Sequence, residues 1–549
     1  MNVAEAVGRT LVGRGVSCAF GVVGSGNFHV TNALIAAGAR FFAAAHEGGA
    51  ASMADGYARV SGRLTALSVH QGPGVTNALT GIVEAAKSRT PLLVLAPEAT
   101  HPRSNFFVDL PAIAAAIGAG FRRITADRAA IDTAEACRIA TSGAGQTVIL
   151  GLPLDVQAQP AGEPVALGSV DEEPGAAAIP AAIKLLADAL AAARRPVFIA
   201  GRGAARTAVR SRGELTALAE RCGALLAVSA AARGLFSGDP WYLDVSGGFS
   251  TPLTAELVPK ADLIVAWGST LNMWTTRHGR LIAPGTTIAQ VDVNPAAIGV
   301  HRPADIAVCG DIAAVARACA EALERRGARQ AGWRSPALRA RIAAEGRWRS
   351  VPFADQTGGG RIDPRALSIA LDDRLPAERT VVIDSGNFMG FPAMFLGVPD
   401  AAGFCFTQAY QSIGLGLASA IGAALARPER LTVAALGDGG FLMSVAELIT
   451  AVRLGLPLVV VVYDDAAYGA EVHHFGPHGY PLDTVRFPDH DLAAIGRGFG
   501  CDAITVRGPR DLGALSEWLG GPRDRPLVID AKVVSSQASW WLEEAFRGH

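Results

Sequence analysis

Several things are scarce in this chain, and each scarcity narrows its class. Charged residues are only 18% of 549, their formal sum is −1, and the basic ones are scattered without runs. Such a surface offers no footprint for a polyanion, so a nucleic-acid partner is not expected. Cysteine is sparse: the seven residues at 18, 137, 222, 309, 319, 405 and 501 form no CxxC pair and leave an odd one over. That is the pattern of a reducing compartment. Long apolar runs are missing too. The longest, such as "PLVVVVY", fall far short of the ~20 residues that span a bilayer. The opening "MNVAEAVGRTLVGRGV" reads as a helix with an early acid and lacks the apolar centre of a signal peptide. The expectation is a soluble, cytoplasmic protein with no membrane partner.

What is present is material for burial. Half of the residues are hydrophobic, and the length exceeds what one core usually serves. Two stretches read as linkers: residues 157–178, rich in Pro, Gly and acid, and residues 350–363, with a triple Gly. They predict three domains, at 1–160, 180–345 and 362–549. Within each, strand-like runs alternate with Ala-rich helical ones: "TALSVH" and "PLLVLAP" in the first, "PVFIAG", "DLIVAWG" and "TIAQVDV" in the second, "TVVIDSG" and "PLVVVVY" in the third. This alternation predicts an α/β protein of three consecutive doubly wound parallel sheets. The blocks could share one topology.

The third block holds the most informative stretch, "LGDGGFLMSVAELITAVRLGLPLVVVVYDDAAYG", residues 436–469. It reads as strand, Gly-rich turn, helix over 444–454, and strand. In a right-handed crossover the strands lie parallel, so Asp438 and Asp465 emerge on one sheet edge and can meet. Gly437, Gly439 and Gly440 leave backbone N–H groups open to a phosphate at a helix N-terminus. Carboxylates beside such a cradle imply a hard cation such as Mg²⁺, since bare they would repel the phosphate. The first block adds "HEGGAASMADGYAR" around Glu47, "QGPGVTNAL", and the Gly-rich turn "FGVVGSGNF". All sit where α/β sheets bind ligands. The last of these and "IAGRGAARTAV" at 199–209 contain GxG after a strand, which keeps a dinucleotide-dependent oxidoreductase open; neither completes GxGxxG.

The chain resembles the thiamine diphosphate (ThDP) enzymes of the acetolactate synthase, pyruvate decarboxylase and benzoylformate decarboxylase group. "HEGGAASMADGYAR", "GPGVTNAL" and GDG with a paired polar motif recur in that order, and the likeness covers nearly the whole length as pyrimidine-binding, central and diphosphate-binding blocks. It implies that Glu47 bonds the cofactor's pyrimidine nitrogen, and that Asp438, Asp465 and the Ala467 carbonyl hold Mg²⁺. It assigns Ile413 as the wedge beneath a bent cofactor and the Gln411 carbonyl as acceptor from the pyrimidine amine. Gly386, Asn387, Phe388 and Tyr468 join Gly437, Asp438, Gly439 and Gly440 as cofactor contacts. One departure stands out: the group usually has Asn-Asn where this chain has Asp464-Asp465. The added charge implies either a tighter metal site or a neighbour that offsets it.

The resemblance further implies a decarboxylated enamine formed from a pyruvate-like 2-oxo acid, then ligation to a carbonyl acceptor. Nonoxidative decarboxylation is the alternative, because Ser25, His70 and Glu471 match active-site positions of the decarboxylases. His278 lies in the region of another decarboxylase histidine without matching its position. A noncatalytic relative is a further alternative, disfavoured by the retained Glu47. His473, His474 and His478 form a polar group without a usual zinc spacing, and "SSQASWWLEEAF" places Trp540 and Trp541 beside Glu543 and Glu544 as a docking segment or lid. FAD in the central block is known for some relatives, but no motif here calls for it. The resemblance places each site between the first block of one subunit and the third of another, in a homodimer or homotetramer.

Overall fold

The described residues include eighteen strands, and the central ones form where β-branched and aliphatic runs are buried on both faces. The computed structural model describes residues 1–162, 178–327, 332–536, 538–539 and 541–542. Trp540, Glu543, Glu544 and most of the first linker stretch therefore lie outside the described residues. The first sheet contains β1 (Cys18–Gly21), β2 (Arg40–Ala43), β3 (Thr65–Ser68), β4 (Leu92–Glu98), β5 (Gly120–Arg123) and β6 (Thr147–Pro153). The second contains β7 (Pro196–Ala200), β8 (Leu225–Val228), β9 (Tyr242–Val245), β10 (Leu263–Trp267), β11 (Thr287–Asp292) and β12 (Ile306–Cys309). The third contains β13 (Arg379–Ile383), β14 (Phe404–Phe406), β15 (Leu431–Gly437), β16 (Leu458–Asp464), β17 (Asp502–Val506) and β18 (Leu527–Lys532). All pairings are parallel, so every connection crosses over and helices cover both faces.

The outer sheets share one order. The first runs β2-β1-β3-β4-β6-β5 and the third β14-β13-β15-β16-β18-β17, the same permutation shifted along the chain. The second runs β12-β11-β10-β7-β8-β9 and departs from it, so a topology shared by all three blocks is not found. The second sheet reverses direction between β7 and β10, where a crevice opens at the strand ends.

The first and third blocks are joined by two helices rich in small residues, Glu47–Ser61 and Gly416–Ala426. Gly56 leaves no room for a Cβ against the Ser419 carbonyl, and Gly422 none against that of Met53. Missing side chains thus let the backbones touch. Charge fastens the same junction: Arg59, partly buried against the buried Asp55 and Glu84, donates to the Phe406 carbonyl at 2.6 Å. Among the described residues no helix is long and apolar enough to cross a membrane, and all seven cysteines are unpaired.

Candidate active site

The site grows from the register of β15 and β16. Gly437 pairs with Tyr463, so the residues that follow each strand, Asp438 and Asp464-Asp465, emerge side by side. The helix expected over 444–454 starts earlier, with Asp438 as its first residue and Gly437 as N-cap; it runs as Asp438–Ser444, a 3-10 turn, and Leu448–Arg453. Asp438 is therefore placed where free backbone N–H groups favour negative charge. Close packing explains the glycines. A Cβ on Gly439 would lie 2.5 Å from the Tyr468 ring, and one on Gly440 2.5 Å from Asp384 Oδ2.

A cavity of about 1020 Å³ opens here. Its wall contains Gly386, Asn387, Phe388, Gln411, Ile413, Gly437, Asp438, Gly439, Gly440, Asp465, Ala467, Tyr468 and Glu471. Residues from four separate turns of the third block are thus gathered around one space. Gln411 has φ +60 and Ala466 φ +56, so backbone strain is concentrated beside this cavity. Burial, reinforced by Asp465 and Asp464, pushes Asp438 up to about 8. Burial pushes Asp465 up to about 7, with Asp464 adding to it and a hydrogen bond from Asn387 opposing it. Carboxylates this reluctant to ionise would regain their charge beside a cation. Among the described residues no three His, Cys, Asp or Glu side chains converge as a metal-ligand group. The two aspartates would thus need backbone and ligand oxygens to complete a hard cation's shell. This donor set and the Gly-lined helix N-terminus fit a metal–diphosphate pair. The three neighbouring histidines at 473, 474 and 478 bring no such shell; His474 stacks edge-on with Phe475 and His478.

The extra charge of Asp464 has a partner. Lys532, only 2% exposed at the end of β18, lies 2.5 Å from Asp464 Oδ2, 3.1 Å from Asp530 and 2.7 Å from Asp489. Burial alone would lower this lysine, but hydrogen bonds to Asp464 and Asp489 carry it above its ordinary value. Sequence reading missed Lys532, because in "LVIDAKVV" it looks like one interruption of a buried strand. Asp384 was missed as well. Fully buried, it accepts from the N–H groups of Ser385, Gly414 and Leu415 at 2.8, 2.9 and 3.3 Å. It thereby fixes the arm that presents Ile413. Glu84 does the same from the first block, accepting from Ala409 N at 3.1 Å and Tyr410 N at 2.6 Å.

The first-block candidates lie elsewhere. Glu47 opens its helix partly exposed and accepts from Asn77 of "GPGVTNAL" at 3.1 Å. Glu447 of the third block organises the preceding loop, accepting from Ala45 N and His46 N at 3.2 and 3.0 Å. Ser25 is exposed on the turn packed against His70, whose Nδ1 accepts from Gly26 N at 3.3 Å. None of Glu47, His70 and Ser25 lines the cavity of their own chain.

The GxG turns have packing explanations. A Cβ on Gly26 would strike Gln71, and one on Gly201 or Gly203 would strike Gly268 or its neighbour Ser269. Even so, Gly201, Arg202, Gly268, Ser269 and His301 extend the cavity wall into the central block, with Arg202 pushed down to about 10 by burial and Arg59. His278 is outside that wall. Trp541 is inside it, 4% exposed, and meets Phe249 at 6.3 Å between ring centres. Just before it, Ser539 Oγ donates to the Asn387 carbonyl at 2.8 Å.

Comparison with known proteins agrees with this geometry. Residues 1–110 match the N-terminal TPP binding domain of thiamine pyrophosphate enzymes, residues 183–319 their central domain, and residues 384–531 their C-terminal TPP binding domain. The chain is 32% identical to the probable 2-ketoarginine decarboxylase of Pseudomonas aeruginosa, over 94% of this chain and 91% of that protein. It is 28% identical to the large subunit of acetolactate synthase isozyme 2 of Escherichia coli (85% and 84% covered) and 29% to a sulfoacetaldehyde acetyltransferase of Castellaniella defragrans (93% and 89%). The dinucleotide alternative gives way to these matches, and the chain belongs to the thiamine pyrophosphate-dependent enzymes, in the acetolactate synthase-like group of carboligases and decarboxylases.

Proposed function

We propose that this protein uses ThDP and Mg²⁺ to join a 2-oxo acid, after loss of CO₂, to a carbonyl acceptor, as acetolactate synthases do. The observation that carries the reading is the single cavity walled by Asp438, Asp465, Gln411, Ile413 and Glu471. When bound, ThDP supplies an electron sink for cleavage next to a carbonyl. The chain supplies the rest. Asp438, Asp465 and the Ala467 carbonyl would hold Mg²⁺ against the diphosphate. Asn387 and the glycines of the helix N-terminus would bind its oxygens, and Ile413 would wedge the cofactor open. Glu471 would hold or deliver a proton at its carboxyl.

Glu47 does not line its own chain's cavity, so in this proposal it serves the cavity of a second copy, where its carboxyl holds a proton at the pyrimidine. The active form is then a homodimer or a homotetramer. A second reading, nonoxidative decarboxylation, is favoured by Glu471 in the wall and by the likeness to a 2-ketoarginine decarboxylase. Ser25 and His70 would join Glu471 on the substrate side in either case.

Calorimetric titration of metal-stripped protein with ThDP tests the cofactor. Binding should require Mg²⁺ and weaken by at least about tenfold, ~1.4 kcal/mol, in Asp465→Ala. Absence of ThDP binding by folded wild type would defeat the reading. Product analysis with pyruvate then separates the two reactions, acetolactate or acetoin for one and free aldehyde for the other.

A further inference from the structure

We propose that Lys532 is a positioning residue for the metal–diphosphate turn, and that it is what allows this chain to carry Asp at position 464. The inference rests on the proposed Mg²⁺–ThDP site. Lys532 Nζ reaches three carboxylates, Asp464 at 2.5 Å, Asp489 at 2.7 Å and Asp530 at 3.1 Å, and the His490 carbonyl at 2.5 Å. Asp530 lies on the lysine's own strand, while Asp464, Asp489 and His490 belong to two segments that meet behind the cavity wall. One is the turn 464–468, in which Asp464 Oδ1 accepts from Ala466 N at 3.0 Å and holds the positive φ of Ala466. The other is the stretch 485–490, which backs that turn. Tyr468 N donates to the Val485 carbonyl, Phe487 N donates to that of Ala466, and Ala467 bridges Arg486.

One ammonium group thus fastens both layers behind Asp465, Ala467 and Tyr468. It also offsets part of the charge that Asp464 adds beside Asp438 and Asp465. Arg361 supports the same corner, donating to the carbonyls of Asp464 and Val533 at 3.2 and 3.1 Å and pairing with Asp489 at 3.5 Å. It does not reach the carboxylate of Asp464 in these contacts, so that charge is left to Lys532. A buried lysine without its carboxylates, or the carboxylates without it, would be strongly unfavourable. Lys532 therefore cannot be lost while Asp464 stays charged, whereas Asp464 can lose its charge while Asp489 and Asp530 still hold the lysine.

The test compares wild type, Lys532→Met, Asp464→Asn and the double variant by calorimetric titration with ThDP in Mg²⁺, with thermal unfolding of each metal-free protein alongside. Lys532→Met should bind ThDP at least about tenfold more weakly, and the double variant should recover most of that loss. Asp464→Asn alone should change affinity little, because Lys532 keeps Asp489 and Asp530. Wild-type affinity in a folded Lys532→Met protein would overturn the proposal. If Lys532→Met does not fold, the double variant decides: near-normal affinity supports the proposal, and a loss as large as that of Asp465→Ala overturns it. Failure of wild type itself to bind ThDP would overturn the functional reading, and this inference with it, and is thereby distinguished from failure of the pairing alone.

Discussion

At the scale of single residues, the arm that presents Ile413 depends on a buried acid outside the cavity wall. Asp384 is raised to about 6, burial outweighing the backbone N–H groups it accepts from. A raised carboxyl pKa means that the folded state prefers the proton. The stability it contributes is complete below the unfolded value near 3.8 and is lost as pH rises through about 6. Above that the ion is kept, and it holds the Gly414–Leu415 backbone by charge-assisted bonds. Asp384→Asn should therefore gain thermal stability relative to wild type as pH climbs from about 4 to about 6 and hold a constant difference above. At neutral pH it should bind ThDP about tenfold more weakly, the loss of one or two such bonds. Melting curves across the pH range and one titration check both. The Gly-rich cradle and paired aspartates were legible because their spacing follows from strand, turn and helix. Asp384, Glu84, Glu447 and Lys532 were not, since each acts on at least one backbone segment or side chain 30 or more positions away.

At the scale of elements, the Glu47–Ser61 and Gly416–Ala426 helices carry a load that their composition only hints at. The second follows the arm that presents Ile413, and the first begins at Glu47, so their separation sets where both ends stand. Gly422→Ala would press a methyl group into the Met53 carbonyl. The expected cost is about 1–3 kcal/mol, as for other overpacked contacts, with weaker ThDP binding because Ile413 shifts. Denaturant unfolding beside calorimetry measures the two effects, and a stability equal to wild type would refute the close approach. Long central strands such as Leu458–Asp464 could be read directly, being apolar without interruption. The edge strand β2, with its partly exposed Arg40–Ala43, and the three-residue β14 could not. The order of the second sheet was also hidden, because alternation of strands and helices is the same for either winding.

At the scale of the whole molecule, the proposed function divides the site between copies. Asp438 and Asp465 lie in the cavity wall and Glu47 does not. Glu447, on the helical run that begins at Asp438, nevertheless holds the loop before Glu47. One chain therefore places the cradle in its cavity wall and Glu47 outside that wall. Mixing two inactive proteins exposes this arrangement. Glu47→Gln lacks the carboxyl but keeps the cradle, and Asp465→Ala lacks a metal ligand but keeps Glu47. In a two-fold dimer that joins the two, one site contains both defects and the other contains neither. With random exchange half of the dimers are mixed, so about a quarter of wild-type activity should return, from subunits that have none separately. Activity should grow as the mixture exchanges and stay absent if the proteins are combined under conditions that prevent exchange. Were each site made within a single chain, every site in the mixture would be defective, and no amount of exchange would restore turnover.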